Sequence, residues 1–107
     1  PDYIRPAALS VSQGTNERAI VLGGSGNGEA IVANRIHGVR CILAWDKNSA
    51  ELGRRHNDSN VLSIGERMVS LSTAMEIVDI WLNSPFDGGR HETRVQQIDN
   101  PLDDTVS

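Results

Sequence analysis

Val21-Leu22-Gly23-Gly24-Ser25-Gly26-Asn27-Gly28-Glu29-Ala30 is the stretch that decides the fold. A short β-branched run, Arg18–Leu22, leads into GGSGNG, and a helix-forming segment, Glu29–Ile36, follows. Asn16 and the Gly23–Gly24 pair bound the run, so it predicts a buried strand. Strand, glycine turn and helix in that order open a parallel α/β unit, and in such sheets ligands bind at the C-terminal edge of the strands.

The pattern repeats outward from that turn. Upstream, residues 5–13 predict a helix that tolerates Pro6 near its start and is broken at Gly14 and Asn16. Downstream, Gly38 stops the first crossover helix and Val39–Trp45 predicts a second buried strand. Asp46 caps a helix running to about His56, and Val61–Ile64 predicts a third strand. Ser70 or Ser72 starts the next helix, where Leu71, Ala74, Met75, Val78, Trp81 and Leu82 recur at three- and four-residue steps to form one apolar face. Asn83-Ser84-Pro85 ends it, Phe86–Ile98 predicts a further helical arm, and Asp99–Ser107 an acidic loose tail. Alternation at this spacing predicts a three-layer α-β-α, Rossmann-like parallel sheet with a C-terminal helical arm. Three strands make a meagre sheet, and the first helix has nothing before it to cover. Strands supplied from elsewhere are therefore expected.

Bulk properties narrow the function. A chain of 107 residues excludes two full domains, so residues 1–98 are expected to form one α/β domain and 99–107 its tail. With 38% hydrophobic and 22% charged residues, a wholly disordered chain is excluded. Tyr3, Trp45, Trp81 and Phe86 are the only aromatics, so the core must rest on Val, Ile, Leu and Ala, and so thin a core fits an oligomer. The net charge of -4, with no basic stripe, argues against nucleic acid. The longest apolar runs, Ala19–Leu22 and Cys41–Trp45, have strand length, and no membrane span or signal peptide is expected. A lone Cys41 inside an apolar run predicts a buried structural thiol, one Cys and three scattered His give no metal-ligand spacing, and a reducing cytoplasm fits best.

The glycine turn invites an anion, because helix N-terminal N–H groups attract one and glycines let it approach. It lacks the Lys of a phosphate-binding P-loop, and Glu29 stands where a dinucleotide fingerprint begun at Gly24 needs glycine. A carboxylate there would repel a pyrophosphate. Glu29 suits proton abstraction from carbon instead, with the loop donors holding the enolate oxygen that forms; the plain alternative is a first-turn Glu that complements the helix dipole. His56 ends a helix, which is usually a structural position, but the pattern puts it on the side from which the ligand edge is reached. Arg90 and Arg94 lie one helical turn apart, so both guanidinium groups can face one phosphate, with His91 adjacent and Arg67 after the third strand.

Taken together, these residues resemble a family. IVLGGSGNGEAIVANRIHGVRC, LAWDKNSAELGRRHNDSNVLSIGERM and PFDGGRHETRV are similar to the C-terminal two-thirds of ribose-5-phosphate isomerase type B, within the RpiB/LacA/LacB group of sugar-phosphate isomerases. The resemblance covers about residues 19–98, and its motifs are specific in combination. It implies an aldose–ketose isomerisation of ribose 5-phosphate and ribulose 5-phosphate through a cis-enediolate, with no metal or organic cofactor. It implies Glu29 as the base, His56 as ring opener and Ser25 with the loop amides as the anion hole. Gly24, Gly26, Asn27, Gly28 and Asn57 would touch the sugar. Arg67, Arg90 and Arg94, with His91 a weaker member, would clamp the phosphate. Some family members carry a cysteine base early in the loop, where this chain has Gly23. The resemblance also implies a homodimer or tetramer whose site is shared between subunits.

One departure stands at the front, where the family's strand ending in Asp-His, with its helix and second strand, has no match. Two other functions therefore stay open: a non-catalytic subunit that binds a phosphorylated pentose or hexose, and a nucleotide-binding module.

Overall fold

A computed structural model describes residues 3–100. The elements run α1 (Ile4–Ser12), β1 (Ala19–Gly23), α2 (Asn27–Asn34), β2 (Cys41–Ala44), α3 (Lys47–Arg55), β3 (Val61–Gly65), α4 (Leu71–Asn83) and α5 (Arg90–Asp99). Local chemistry sets the boundaries. The Asp46 carboxylate accepts the N–H of Ser49, whose hydroxyl accepts the Asp46 N–H in return, a reciprocal cap that starts α3. This hydrogen bond also holds the Asp46 carboxyl below its ordinary pKa. Of the two candidate serines, Ser70 caps α4 by accepting the Thr73 N–H. Gly26, at φ 83°, is the N-cap of α2, so that helix begins at Asn27, two residues before the predicted start.

All strand pairs are parallel, in the order β1-β3-β2. The central strand β3 is buried along its whole length, and its residues alternate between two cores. On one face Val61 joins Val21 and Cys41 beneath Ile4, Ala8 and Val11 of α1 and Ala33 of α2. On the other, Leu62 and Ile64 join Ala44 beneath Ala50 of α3 and Ile77 and Trp81 of α4. The result is the expected three-layer α-β-α arrangement. The first helix has its own work in it, sealing one face of the sheet. Burial pushes the Cys41 thiol up to about 12, as befits an inert core residue.

The apolar face predicted for α4 is only partly the buried one. Trp81 and Ile77 are fully buried with Ala74 and Val78 partly covered, whereas Leu71, Met75 and Leu82 are exposed. The helix carries two adjacent apolar stripes and turns one to the sheet. The other, with the exposed Ile20 and Leu22 of the edge strand β1, lines an open groove. The predicted tail also starts too early: Asp99 ends α5 and pairs with Arg40 at 2.7 Å. Residues 101–107 of the tail, like Pro1 and Asp2, lie outside the described residues. No described helix is long and apolar enough to cross a membrane.

Candidate functional site

The glycine loop rides over the C-terminal edge of the sheet and is fastened there by backbone groups. The Ser63 hydroxyl donates to Gly26 O at 2.8 Å, and the N–H groups of Glu66 and Arg67 donate to Gly23 O and Gly24 O at 2.7 and 3.0 Å. Gly26 must be glycine twice over: its φ is positive, and a Cβ would meet Leu43 Cδ1 at 2.5 Å and Gly65 N at 3.0 Å. The Ser25 hydroxyl accepts the Asn27 N–H at 3.4 Å. The Ala30 N–H donates to Gly26 O as the first bond of α2, so the amides of Gly28 and Glu29 have no partner within the helix and are the donors a helix N-terminus offers to an anion.

Glu29 and Arg67 converge on this loop. The Glu29 carboxyl group lies over Gly23, in the space a Cβ at that position would occupy. The Arg67 guanidinium lies over Gly24, where a Cβ would meet its Cζ at 3.3 Å. A base, a cation and open amide donors therefore share one strand edge, an arrangement able to hold an anionic oxygen beside an abstractable proton. Trp45, exposed after β2, stands at the same edge.

His56 does not. The sequence pattern puts it near the glycine loop; the structure places it at the opposite, N-terminal edge. The reason is the parallel crossover. α3 leaves the C-terminal end of β2 at its Asp46 cap and returns the chain, by ~13 Å over nine residues, to the start of β3. His56, its C-cap, is therefore delivered to the far edge, with Asn57 beside it. There the His56 and His91 rings stack, with centroids 4.2 Å apart and 11° between planes. Partial desolvation, then the neighbouring His56 and Arg90, hold His91 below its ordinary pKa. Arg90 and Arg94 project, exposed, from the first turns of α5. The arginines assigned to one phosphate are thus divided, Arg67 at one edge and Arg90 and Arg94 at the other.

The second edge is built on a buried polar network around Arg54 and Ser59. Buried Arg54 donates to Ser59 O at 2.6 Å and to Asp58 at 2.9 Å, and Trp81 Nε1 donates to the Ser59 hydroxyl at 2.8 Å. Among the described residues, no buried side-chain polar atom is left without a partner. Asp87 accepts from Arg55 Nε at 3.1 Å and comes together with His56 and His91. No close sequence spacing announces that trio, because Asp87 lies 31 positions after His56. The Asp87-x-x-x-His91 step is the only local signal.

Comparison with known proteins identifies the family that shares this fold. The family described as Ribose/Galactose Isomerase matches residues 1–98. Ribose-5-phosphate isomerase B of Escherichia coli is 43% identical over 98 residues, which cover 92% of this chain and 66% of that protein. The structure of ribose-5-phosphate isomerase B from Clostridium thermocellum superposes with a TM-score of 0.93 at 41% identity, covering 100% of this chain and 72% of that one. The Mycoplasma genitalium enzyme, crystallised with bound ribulose 5-phosphate, gives a TM-score of 0.91 at 33% identity, over 96% of this chain and 68% of that one. The chain spans just under two thirds of the length of the curated relatives it matches, 66% for the Escherichia coli protein. With its fold, glycine loop and arginine pair in place, the chain belongs to the ribose/galactose isomerase family.

Proposed function

We propose that the chain carries both halves of an aldose–ketose isomerase site, acting on ribose 5-phosphate and ribulose 5-phosphate, and that two copies must meet to join them. The observation that carries this reading is the Glu29 carboxyl group lying over Gly23 beside the open amides of Gly28 and Glu29. His56 helps open the furanose ring. Glu29 then takes the proton from C2 of the open aldose, and the C2–H electrons form the C1–C2 double bond of a cis-enediolate. The loop amides with Ser25 stabilise the oxyanion at O1. Glu29 returns its proton to C1 and the O2 proton passes to O1, which leaves the C2 ketone with no net change in atoms or oxidation level. Gly24, Gly26, Asn27 and Asn57 line the sugar, and Arg67, Arg90, Arg94 and His91 hold the phosphate.

The division of these residues between two sheet edges supports the two-copy reading. Within one chain the parallel crossover keeps Glu29 and His56 apart, while the loop edge of one copy set against the α3–α5 edge of another brings them together. The test is conversion of ribose 5-phosphate to ribulose 5-phosphate, with Glu29→Gln expected to lose at least ~100-fold in turnover. Unchanged turnover in Glu29→Gln removes the base assignment. Sugar-phosphate binding without turnover in the unmodified chain makes it a binding subunit instead.

A further inference from the structure

At the N-terminal edge, His56, Asp87 and His91 each offer a ligand atom within 4.8 Å of the others. Each donor comes from an anchored backbone. His56 closes α3, and His91 sits in the first turn of α5. Asp87 is tied by its own N–H to Arg55 O at 2.9 Å. Two imidazoles and one carboxylate make a borderline donor set that suits zinc-like ions, whereas magnesium and calcium seek oxygen ligands throughout. We propose that His56, Asp87 and His91 form a binding site for a divalent ion of the zinc type, with solvent completing the tetrahedron.

Occupation requires a defined local movement. Zinc bonds of ~2.0–2.1 Å need the donors closer together than they stand. An ion also cannot lie in the planes of two rings stacked at 4.2 Å and 11°, so His91 must turn out of the stack. Asp87 and His91 are joined through Gly88 and Gly89, both at positive φ, so the movement asked of His91 is a turn of its side chain at the start of α5. Asp87 must release Arg55, which keeps Glu51 as a partner at 3.2 Å. Because the ion takes His56, zinc excludes the sugar and inhibits; that consequence rests on the isomerase reading above, while binding itself does not.

Titration of the unliganded protein with Co2+, followed by visible d–d absorption, and with Zn2+ by calorimetry, tests the site without sugar present. One ion per chain is expected, with affinity reduced at least ~10-fold in Asp87→Ala and again in His91→Asn. No saturable uptake, or uptake unchanged in both variants, overturns the proposal. Zinc inhibition of turnover that Asp87→Ala relieves supports the shared use of His56. Binding without inhibition overturns that sharing and leaves the metal site standing.

Discussion

The two edges of the sheet hold their functional groups by different means. At the C-terminal edge the glycine loop is fixed by main-chain bonds to Gly23 and Gly24 and by the buried Ser63 hydroxyl, none of which titrates. At the N-terminal edge His56, Asn57 and α5 are held by ion pairs, Arg40 with Asp99 and Arg55 with Asp87, and by a stack of two imidazoles. Backbone bonds over a packed strand resist salt and pH, and partly exposed ion pairs do not. The chemistry assigned to each edge follows the same division. On the reading proposed above, Glu29 and Arg67 sit at the edge held by main-chain bonds, and His56, Arg90 and Arg94 at the edge held by ion pairs and ring stacking.

Mixing two inactive variants probes this division most strongly. Glu29→Gln cripples one edge and His56→Asn the other. If two copies share each site, a randomly mixed dimer population regains about a quarter of full activity, since half the dimers are mixed and each of those carries one intact site. Activity assays on the co-refolded mixture decide the matter, and a mixture no better than its parents would place the whole site within one chain. Gly23→Ala comes next. The added methyl displaces the Glu29 carboxyl group, the far end of a flexible side chain, and leaves the loop bonds alone, so turnover should fall at least ~10-fold through misplacement. Its thermal unfolding should match the parent, and a matching loss of stability would show the loop to be less independent of that side chain than described.

Smaller effects belong to the second edge. Asp99→Asn should cost about 1 kcal/mol or less, a difference that fades in high salt, because Arg40 keeps Asp58 at 3.6 Å. Denaturant unfolding at two ionic strengths measures it. The smallest effect is a pH slope. The folded chain disfavours the protonated form of His91, so below the ordinary histidine value of ~6.5 the unfolded chain binds a proton that the native one resists. Stability should therefore decline as pH falls through that range and stay level above it, and His91→Asn should flatten the decline. An identical slope in that variant would assign it to another group.

Much of this was legible in the residues themselves. Alternating elements, the Asp46 and Ser70 caps and the glycine turn are local signals, and local hydrogen bonding honours them. The edge at which His56 emerges was also open to reasoning, since a parallel crossover must carry the chain back to where the next strand begins. The strand order β1-β3-β2 was not, because several orders of three parallel strands satisfy the same short connections. Which apolar stripe of α4 meets the sheet was hidden for a similar reason: periodicity marks both stripes, and only packing against Leu62 and Ile64 chooses Ile77 and Trp81. Beyond its step to His91, Asp87 carries no such local signal, because Arg55 and His56 reach it from α3 and its own loop has ordinary turn composition.

The overlap between Gly23 and Glu29 constrains how such a site can change over generations. The resemblance places a cysteine base at position 23 in some family members, and here a side chain at 23 and the Glu29 carboxyl group claim the same volume. A side chain at 23 and the Glu29 carboxyl group in its present position therefore exclude each other. Anything larger than hydrogen at 23 fits only where residue 29 is smaller or swings away, which ties the two positions together in any redesign of the loop.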